Sequence, residues 1–159
     1  MKVTERISYD FGSNLRHGII RDIDNRQEEY GPEHDRVYPI RDVASSTPAG
    51  PARIEVTESD GEVHVRIGDP NVTITGVHNY TISYTVLAAT TRFADHDELY
   101  WTAIGPGWTV PISNAQVSVV APAAVQTVTC YAGARWGAGP RAPVARATPG
   151  SPMPVTLST

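Results

Sequence analysis

The chain contains little lysine and little cysteine, and each shortage excludes a class of protein. Lys2 is the one lysine among 159 residues, and the formal net charge is −4. A basic face that neutralises phosphates is therefore missing, and we expect no nucleic acid as a partner. Cys130 is the one cysteine, which excludes an internal disulfide and a cysteine-based zinc motif. An inert buried thiol is the simpler interpretation of this residue.

Long apolar runs are also missing. No segment reaches the roughly eighteen consecutive apolar residues of a membrane-spanning helix, and residues 1–6 lack the apolar run of a secretion signal. We therefore expect no membrane span in this chain. Apolar residues make up 40% and charged residues 19%, which is typical of a folded domain, whereas 13 glycines and 13 prolines predict many turns and little helix.

The sequence does contain several short segments in which apolar and polar residues alternate. This period of two is found in residues 3–9, in residues 54–67 around a Ser-Asp-Gly turn, and in residues 80–86. Further strands are predicted at residues 99–104, 108–112, 115–121 and 125–131. About nine strands in all, with no amphipathic helix between them, predict an all-β fold. We expect an antiparallel, immunoglobulin-like β-sandwich over residues 1–131.

Two segments do not fit this pattern. Residues 15–35 are polar, and Ile19, Ile20 and Ile23 are spaced loosely like one side of a helical turn, so we predict a long irregular loop near the N-terminus. Residues 132–159 are rich in Gly, Ala, Pro and Arg without any period, which predicts a flexible tail.

The densest group of chemistry-bearing residues begins at Asp95 and ends at Trp101. Asp95, Asp97 and Glu98 offer oxygen ligands to a hard cation such as Ca²⁺. Their spacing differs from that of an EF-hand and the required glycine is missing, so a solvated turn is the simpler interpretation. These three residues are weak metal candidates, and we predict no bound metal.

Other catalytic motifs are missing. The sequence contains no Gly-x-Ser-x-Gly serine elbow and no glycine-rich phosphate loop. Nothing in the sequence brings the five histidines together. His64 lies at an outward position of its strand, and His78 lies at a core or boundary position where we expect a hydrogen-bond partner. We therefore predict no catalytic residue and no cofactor.

Aromatic residues allow two interpretations. They could form a platform for sugar rings, but strand aromatics that alternate with Thr and Ser are the usual core of a sandwich, and the core interpretation is the simpler one. It places Trp101 at the centre of the core. The residues concerned are Tyr80, Tyr84, Tyr100, Trp101 and Trp108.

Four segments carry a family resemblance, namely residues 16–23, 75–84, 95–101 and 105–112. They resemble the N-terminal domain of a large family of predicted prokaryotic membrane proteins, domain-of-unknown-function family 2207. The resemblance covers residues 3–131 and implies a domain truncated at both ends, without its signal peptide and first strand. It also implies a location on the extracytoplasmic side of the membrane, to which members of the family are usually tethered.

Within this resemblance, Arg-His-Gly-Ile-Ile-Arg at residues 16–21 is a signature segment. Its expected role is to fold over the sandwich, with Arg16 or Arg21 paired to the acidic stretch at residues 95–98. A ligand site is the alternative. The candidate ligand or loop-ordering site consists of Arg16, His17, Arg21, Asp95, His96, Asp97 and Glu98.

Two classes of function compete. The first is a non-enzymatic extracytoplasmic binding or scaffolding domain of a membrane-associated prokaryotic protein, with an unknown protein or a cell-envelope ligand as partner. The alternatives are a metal-assisted hydrolase that uses Asp95, Asp97 or Glu98 with a nearby histidine, and a carbohydrate-binding module. Convergence of carboxylates and imidazole in an open cleft favours catalysis, whereas arginine–carboxylate pairing in a closed rim favours scaffolding.

Overall fold

The structure is a computed structural model that describes residues 1–28, 35–105, 107–129 and 153–157. Over these residues the fold is all-β, without a helix. In chain order the strands are β1 (Lys2–Asp10), β2 (Ile19–Asp24), β3 (Arg26–Glu28), β4 (Asp35–Val37), β5 (Ile40–Thr47), β6 (Gly50–Pro51), β7 (Ile54–Ser59), β8 (Glu62–Ile67), β9 (Val77–Val86), β10 (Thr90–Arg92), β11 (Asp97–Leu99), β12 (Ala115–Val119) and β13 (Met153–Leu157).

The chain forms two compact units, Met1–Gly105 and Pro106–Thr159. The first unit contains a four-stranded sheet in the order β1-β9-β5-β6 and a three-stranded sheet in the order β2-β8-β7. Every strand pair is antiparallel, as the sequence predicts. The second unit contains the antiparallel pair of β12 and β13.

The alternating pattern of residues 80–86 forms the inner face of β9. Tyr80, Ile82, Tyr84 and Val86 are each no more than 4% exposed. β9 lies between β1 and β5 in its sheet. Its backbone is therefore paired on both sides, and its side chains supply a large share of the core. The prediction of a strand with one apolar face is confirmed here.

The predicted hairpin at residues 54–67 is confirmed as β7 and β8. Its two turn residues, Asp60 and Gly61, have φ angles of 52° and 81°, and two positive φ angles in a two-residue turn match the twist of the flanking strands. Val65 and Ile67 of β8 are fully buried. Val56 of β7 is 44% exposed, so the edge strand of the hairpin contributes less to the core than its sequence predicts.

The four-stranded and the three-stranded sheet of the first unit contribute to one apolar core, which is a sandwich-like arrangement. A connected cluster of buried residues includes Ile19 and Ile23 of β2, Val65 of β8, and Ile82 of β9. Trp101 is partly buried and packs against this cluster. It therefore lies at the margin of the core, which corrects the prediction that it fills the centre.

The predicted irregular loop at residues 15–35 is wrong for residues 19–28, which form β2 and β3. In β2, Ile19, Arg21 and Ile23 alternate as buried residues with less buried neighbours. Arg21 occupies an inward position where a strand pattern calls for an apolar residue, and this charge obscured the period of two. Residues 29–34 lie outside the described part of the chain.

Gly18, at the start of β2, is required by close backbone packing. Its φ angle is +131°, and a Cβ atom there would lie 1.9 Å from the carbonyl oxygen of Ile67. Gly68, directly after the partner strand β8, has a φ angle of +140°, and a Cβ atom there would lie 1.9 Å from the carbonyl oxygen of His17. The glycine of the signature segment thus has a packing role: only a residue without a side chain allows this approach.

Several predicted strands are absent or shorter in the described residues. Residues 99–104 and 108–112 are predicted to be strands, yet β11 ends at Leu99 and residues 107–112 are irregular. Residues 125–129 are also irregular. The Gly-Pro-Gly at 105–107 and Pro111 interrupt the apolar alternation, and a strand also needs a partner for its backbone.

The predicted flexible tail, residues 132–159, lies outside the described residues except for β13. In β13, residues 153–157 are paired with β12, a strand that the sequence analysis did not predict. The predicted domain boundary at residue 131 also differs from the division of the chain after Gly105.

Candidate functional site

Arg21 is the centre of a buried network of charged and polar groups. Its side chain is 2% exposed, and its Nε and Nη2 atoms donate to Glu5 Oε2 at 2.8 Å and Oε1 at 3.1 Å. Nη1 donates to the carbonyl oxygen of Asp22, and Nη2 also lies 3.3 Å from that of Ala103. A bidentate arginine–carboxylate pair of this kind is a strong, geometrically specific interaction.

Tyr84 completes the network from β9. Its hydroxyl donates to Glu5 Oε1 at 2.7 Å, so that the Glu5 carboxylate joins β1, β2 and β9. Burial raises the pKa of the Tyr84 hydroxyl well above its usual range, and the charge of Glu5 raises that pKa further. A raised pKa keeps the Tyr84 hydroxyl protonated at neutral pH, so that it remains the donor to Glu5, which suits a structural role more than proton transfer.

The predicted pairing of Arg16 or Arg21 with the acidic stretch is wrong. Arg21 pairs with Glu5, and Arg16 Nη1 donates to the carbonyl oxygen of Leu15 at 3.1 Å. Arg21 pairs with Glu5 because both side chains point inward, Arg21 from β2 and Glu5 from β1. His17 is exposed and its Nδ1 lies 3.0 Å from the carbonyl oxygen of Val72.

The acidic stretch begins in the exposed turn between β10 and β11 and continues into β11. Asp95 Oδ1 lies 2.8 Å from His96 Nδ1, and the His96 ring stacks on Phe93 at 4.7 Å between centroids. Asp97 Oδ1 lies 4.0 Å from Arg92 Nε with both side chains exposed. Glu98 is also exposed. The structure thus does not bring the seven predicted site residues into one place.

A different group of polar side chains meets on the outer face of the sheet β2-β8-β7. His64 Nδ1 lies 2.7 Å from Asp22 Oδ1, and His64 Nε2 lies 3.0 Å from Ser59 Oγ. Asp22 is the direct cross-strand partner of His64, and Ser59 lies on β7 opposite Glu62. Among the described residues, Asp22, Glu62 and His64 are the one group of three potential metal ligands, with ligand atoms within 4.8 Å of one another. We call these three residues the sheet-face cluster.

The sheet-face cluster borders an open groove of about 390 Å³. Arg66 and Glu55 lie in the same groove, 4.0 Å apart at their nearest charged atoms. The hydrogen bond to Asp22 raises the pKa of His64 above its ordinary value of 6.5, and the charges of Glu62 and Asp60 add to this effect. The groove lining consists of Ile20, Asp22, Glu55, Thr57, His64 and Arg66.

The contacts from Ser59 to His64 and from His64 to Asp22 resemble those of a catalytic triad, in which a serine nucleophile contacts its base and a carboxylate orients that base. Ser59 lies at an exposed hairpin end, and the side chains of His64 and Asp22 remain 31% and 25% exposed. Water reaches all three groups, so the strong electrostatic stabilisation of a water-excluded site is lacking. The arrangement suits binding of a cation or polar ligand better than attack by serine.

The sequence reasoning missed the sheet-face cluster because its members belong to different strands. His64 was correctly placed at an outward position, but the partner opposite it depends on the register of β2 against β8. Asp22 shares the outward parity of Ile20 and Asp24, a signal that becomes visible once residues 19–24 are treated as a strand. His78, by contrast, is a boundary residue with its Nε2 atom 3.0 Å from the carbonyl oxygen of Thr75, as predicted.

A second groove, of about 270 Å³, combines aromatic and polar side chains. Tyr100 is 52% exposed there, whereas Tyr38 is 4% exposed. Trp101 meets the Tyr38 ring edge to face at 6.0 Å, and its buried Nε1 atom has no hydrogen-bond partner among the described residues. We call this the aromatic groove. It is lined by Asp24, Arg26, Gln27, Tyr38, Tyr100, Trp101 and Thr102.

The aromatic groove contains two of the five residues considered as a sugar platform. Tyr80 and Tyr84 are buried in the core, which confirms the core interpretation for them. Tyr100 and Trp101 lie in the groove instead. Trp108 belongs to the second unit.

These features define an all-β domain with open grooves, and the sequence comparison then identifies its family. Residues 1–142 match the model of the N-terminal domain of predicted membrane proteins of the DUF2207 family, and the chain belongs to this family. The resemblance stated from the sequence is thereby confirmed. None of the curated proteins and none of the solved structures compared matches the chain. In the described residues no helix is long and apolar enough to cross a membrane.

Proposed function

We propose that this chain is a non-enzymatic, extracytoplasmic binding domain of a membrane-associated protein, and that it contacts a cell-envelope glycan through the aromatic groove. The observation that carries the proposal is the groove itself, in which the exposed ring of Tyr100 stands among polar side chains. Membership of a family of predicted membrane proteins supports the membrane setting.

Two aromatic side chains of the groove, Tyr38 and Trp101, are held in place before a ligand arrives, which suits the groove to a sugar ring. Tyr38 donates from its hydroxyl to Gln27 Oε1 at 2.6 Å, and the Arg36 guanidinium lies 5.1 Å from the centre of the Tyr38 ring. Trp101 rests edge to face against Tyr38. A ligand that meets a fixed surface loses less binding free energy to ordering of the protein.

The polar side chains supply the second requirement of glycan recognition, which is a small number of directional hydrogen bonds to hydroxyl groups. Asp24 and Gln27 offer acceptors, and Arg26 and Thr102 offer donors, around the same groove. The two sides of the groove belong to β2 and β3 and to the segment after β11. This combination of a flat ring with mixed donors and acceptors favours a polyhydroxylated ligand over a purely apolar one.

The positions of the charged side chains support the non-enzymatic part of the proposal. The arginine–carboxylate pair of Arg21 and Glu5 is buried and holds strands together, which matches the arrangement expected of a scaffold. The carboxylates at Asp95, Asp97 and Glu98 are exposed to solvent. General acid–base catalysis gains from positioned groups within a protected site, and these positions lack that protection.

Sedimentation of the full chain with insoluble peptidoglycan tests the glycan proposal. We expect the chain to sediment with the polymer, and Tyr100→Ala to weaken the binding at least about fivefold, since loss of one stacked aromatic ring costs on the order of 1 kcal/mol. Phe93→Ala is the matched control, because Phe93 is similarly exposed at 48% but does not line the groove. Equal losses from both substitutions, or no sedimentation, would overturn the proposal.

The extracytoplasmic location needs its own test. Protease added to intact spheroplasts that express the natural gene product should digest this domain while a cytoplasmic marker protein stays whole. Protection of the domain until the membrane is permeabilised would place it on the other side.

A hydrolase is the second candidate function, and the chain of hydrogen bonds from Ser59 through His64 to Asp22 is the observation that favours it. Assays with activated carboxylic and phosphate esters, with and without Zn²⁺, address this candidate. Turnover that is abolished by both Ser59→Ala and His64→Ala would support serine attack. Turnover that depends on Zn²⁺ and survives Ser59→Ala would support a metal-bound water as the nucleophile.

A further inference from the structure

The sheet-face cluster gathers three potential ligands from two neighbouring strands. Asp22 and His64 are direct cross-strand partners on β2 and β8. Glu62 lies two residues before His64 on the same strand, and therefore on the same face. All three side chains are half-buried, so their positions are restricted by the sheet while one side stays open to water.

The contact between His64 and Asp22 requires a hydrogen atom or a cation between the two side chains. An ionised carboxylate only accepts hydrogen bonds, so the 2.7 Å contact between His64 Nδ1 and Asp22 Oδ1 needs a proton or a cation between the two atoms. Ser59 Oγ, 3.0 Å from His64 Nε2, is placed to accept the proton of the other ring nitrogen. When a cation takes the place of the hydrogen on Nδ1, the remaining ring hydrogen lies on Nε2, and the lone pair of Nδ1 is free to bind the cation.

Local charge also favours a cation at this position. The carboxylates of Asp22 and Glu62 lie within reach of one another, with all ligand atoms of the cluster inside 4.8 Å. Asp60, at the adjacent hairpin turn, adds a further negative charge near His64. Arg66, the nearest arginine in the groove, is directed to Glu55. Repulsion between the carboxylates is thus reduced by one imidazole, and a bound cation would reduce it further.

We propose that Asp22, Glu62 and His64 bind a divalent transition-metal ion of the zinc class, with water at the remaining coordination position. One imidazole nitrogen and two carboxylate oxygens form a donor set of the kind that zinc accepts, whereas Ca²⁺ and Mg²⁺ prefer oxygen ligands alone. Ligand atoms around a tetrahedral zinc ion with bonds of about 2.0–2.2 Å lie about 3.3 Å apart. The ligand atoms of the cluster lie within 4.8 Å of one another, and Nδ1 of His64 lies 2.7 Å from Oδ1 of Asp22, so binding of the ion requires side-chain rotations.

Ser59 acts in this site as the partner that orients the ligand. Ligating histidines usually donate their other ring N–H to a nearby acceptor, which fixes the tautomer and the ring plane. Ser59 Oγ occupies that place beside His64 Nε2. The proposal does not depend on the aromatic groove, since Asp22, Glu62 and His64 are not among the residues that line it.

Calorimetric titration of the full chain with Zn²⁺ tests the site. For this experiment the variant Cys130→Ser is used, so that the single thiol of the chain does not bind zinc itself. We expect one Zn²⁺ per chain. His64→Ala and Glu62→Gln should each weaken the binding at least about tenfold, and Ser59→Ala should weaken it by a smaller factor of about ten or less.

The pair of His96 and Asp95 provides a matched control. It has the same kind of contact, 2.8 Å between Nδ1 and Oδ1, but it does not belong to the three-ligand group. His96→Ala should therefore change zinc affinity less than twofold. A loss as large as that of His64→Ala, or binding that does not respond to His64→Ala, would overturn the proposal.

A second set of measurements needs no substitution in the site, and its result therefore does not depend on whether a variant folds. Co²⁺ added to the Cys130→Ser chain should give the visible absorption of a four-coordinate ion, and one equivalent of Zn²⁺ should abolish it. The imidazole nitrogen resonances of His64 should shift on binding of Zn²⁺ while those of His96 stay constant. Resonances of His64 that are unaffected by Zn²⁺ would exclude the site without any substitution in it.

Discussion

The guanidinium of Arg21 forms two hydrogen bonds to the carboxylate of Glu5, at 2.8 and 3.1 Å, and so links the first strand of one sheet to the first strand of the other. The two side chains are 2% and 14% exposed. Both lie at inward positions that otherwise hold apolar residues. The pair is therefore part of the sandwich interior, where loss of either partner leaves a charge without compensation.

Arg21→Ala should lower the free energy of unfolding by about 3–5 kcal/mol, because Glu5 then remains buried without its counter-charge. Urea denaturation followed by circular dichroism measures this loss. Arg16→Ala is the matched control. Arg16 donates to the neighbouring carbonyl of Leu15 and is exposed, so its removal should cost less than about 0.5 kcal/mol.

The double variant Glu5→Leu/Arg21→Met separates loss of the pair from loss of one partner. Because it removes both charges while keeping apolar volume, it should be more stable than Arg21→Ala alone. A double variant as unstable as the sum of the single substitutions would show that the two residues act independently.

Ile82→Ala should lower the free energy of unfolding by about 2–5 kcal/mol through the cavity that it creates. Ile82 is fully buried on β9, whereas Val77 on the same strand is 61% exposed. Val77→Ala should therefore change stability by no more than about 0.5 kcal/mol. Equal effects in denaturant unfolding would contradict the assignment of the inward face of β9.

Alternation was sufficient to predict β7, β8 and β9, because each is a local pattern of apolar and polar residues. It failed at β2, where Arg21 stands between Ile19 and Ile23. The charge at this inward position is compensated by Glu5, which stands at an inward position of β1. Opposite charges at inward positions of two strands indicate a buried ion pair. The sequence alone, however, does not say which strands face each other.

The sheet-face cluster was beyond sequence reasoning for a similar reason. Its ligands, Asp22 and His64, are 42 residues apart, and the pairing register of β2 against β8 decides that they meet. A shift of one residue in that register would turn His64 to the other face of the sheet. The acidic stretch at residues 95–98 is dense in sequence, yet its side chains spread outward from a short turn.

Addition or removal of Ca²⁺ or Mg²⁺ should leave the thermal stability unchanged. Asp95 and Asp97 have side chains that are 87% and 66% exposed, so their carboxylates are already solvated and gain little from a hard cation. Scanning calorimetry of the Zn²⁺-free chain, with chelator and with excess Ca²⁺, measures the melting temperature. An increase of the melting temperature with Ca²⁺ that disappears in Asp97→Asn would contradict this prediction and indicate a metal site in the acidic stretch.

Deletion of residues 136–159 should leave the melting temperature of the first unit unchanged within a few degrees. The buried cluster of that unit begins at Phe11 and ends at Ala89, so the deletion removes none of its members. Circular dichroism of the shortened chain tests this expectation. A large drop would mean that the C-terminal segment contributes to the stability of the first unit.

Protonation of His64 should stabilise the fold at mildly acidic pH. The hydrogen bond to Asp22 raises the pKa of His64 above 6.5, and Glu62 and Asp60 reinforce the shift. The folded chain thus binds this proton more tightly than the unfolded chain does. The resulting stability is fully present below pH 6.5 and is lost as the pH rises through the higher pKa of the folded state. NMR titration of the imidazole measures that pKa, and urea denaturation across the same pH range measures the stability.

Asp22→Asn should lower the pKa of His64 and flatten the pH dependence of the stability. Asp95→Asn, which alters the comparable contact at His96, should leave the titration of His64 unchanged. A pKa of His64 at or below 6.5 in the unsubstituted chain would contradict the hydrogen bond to Asp22 as its main determinant.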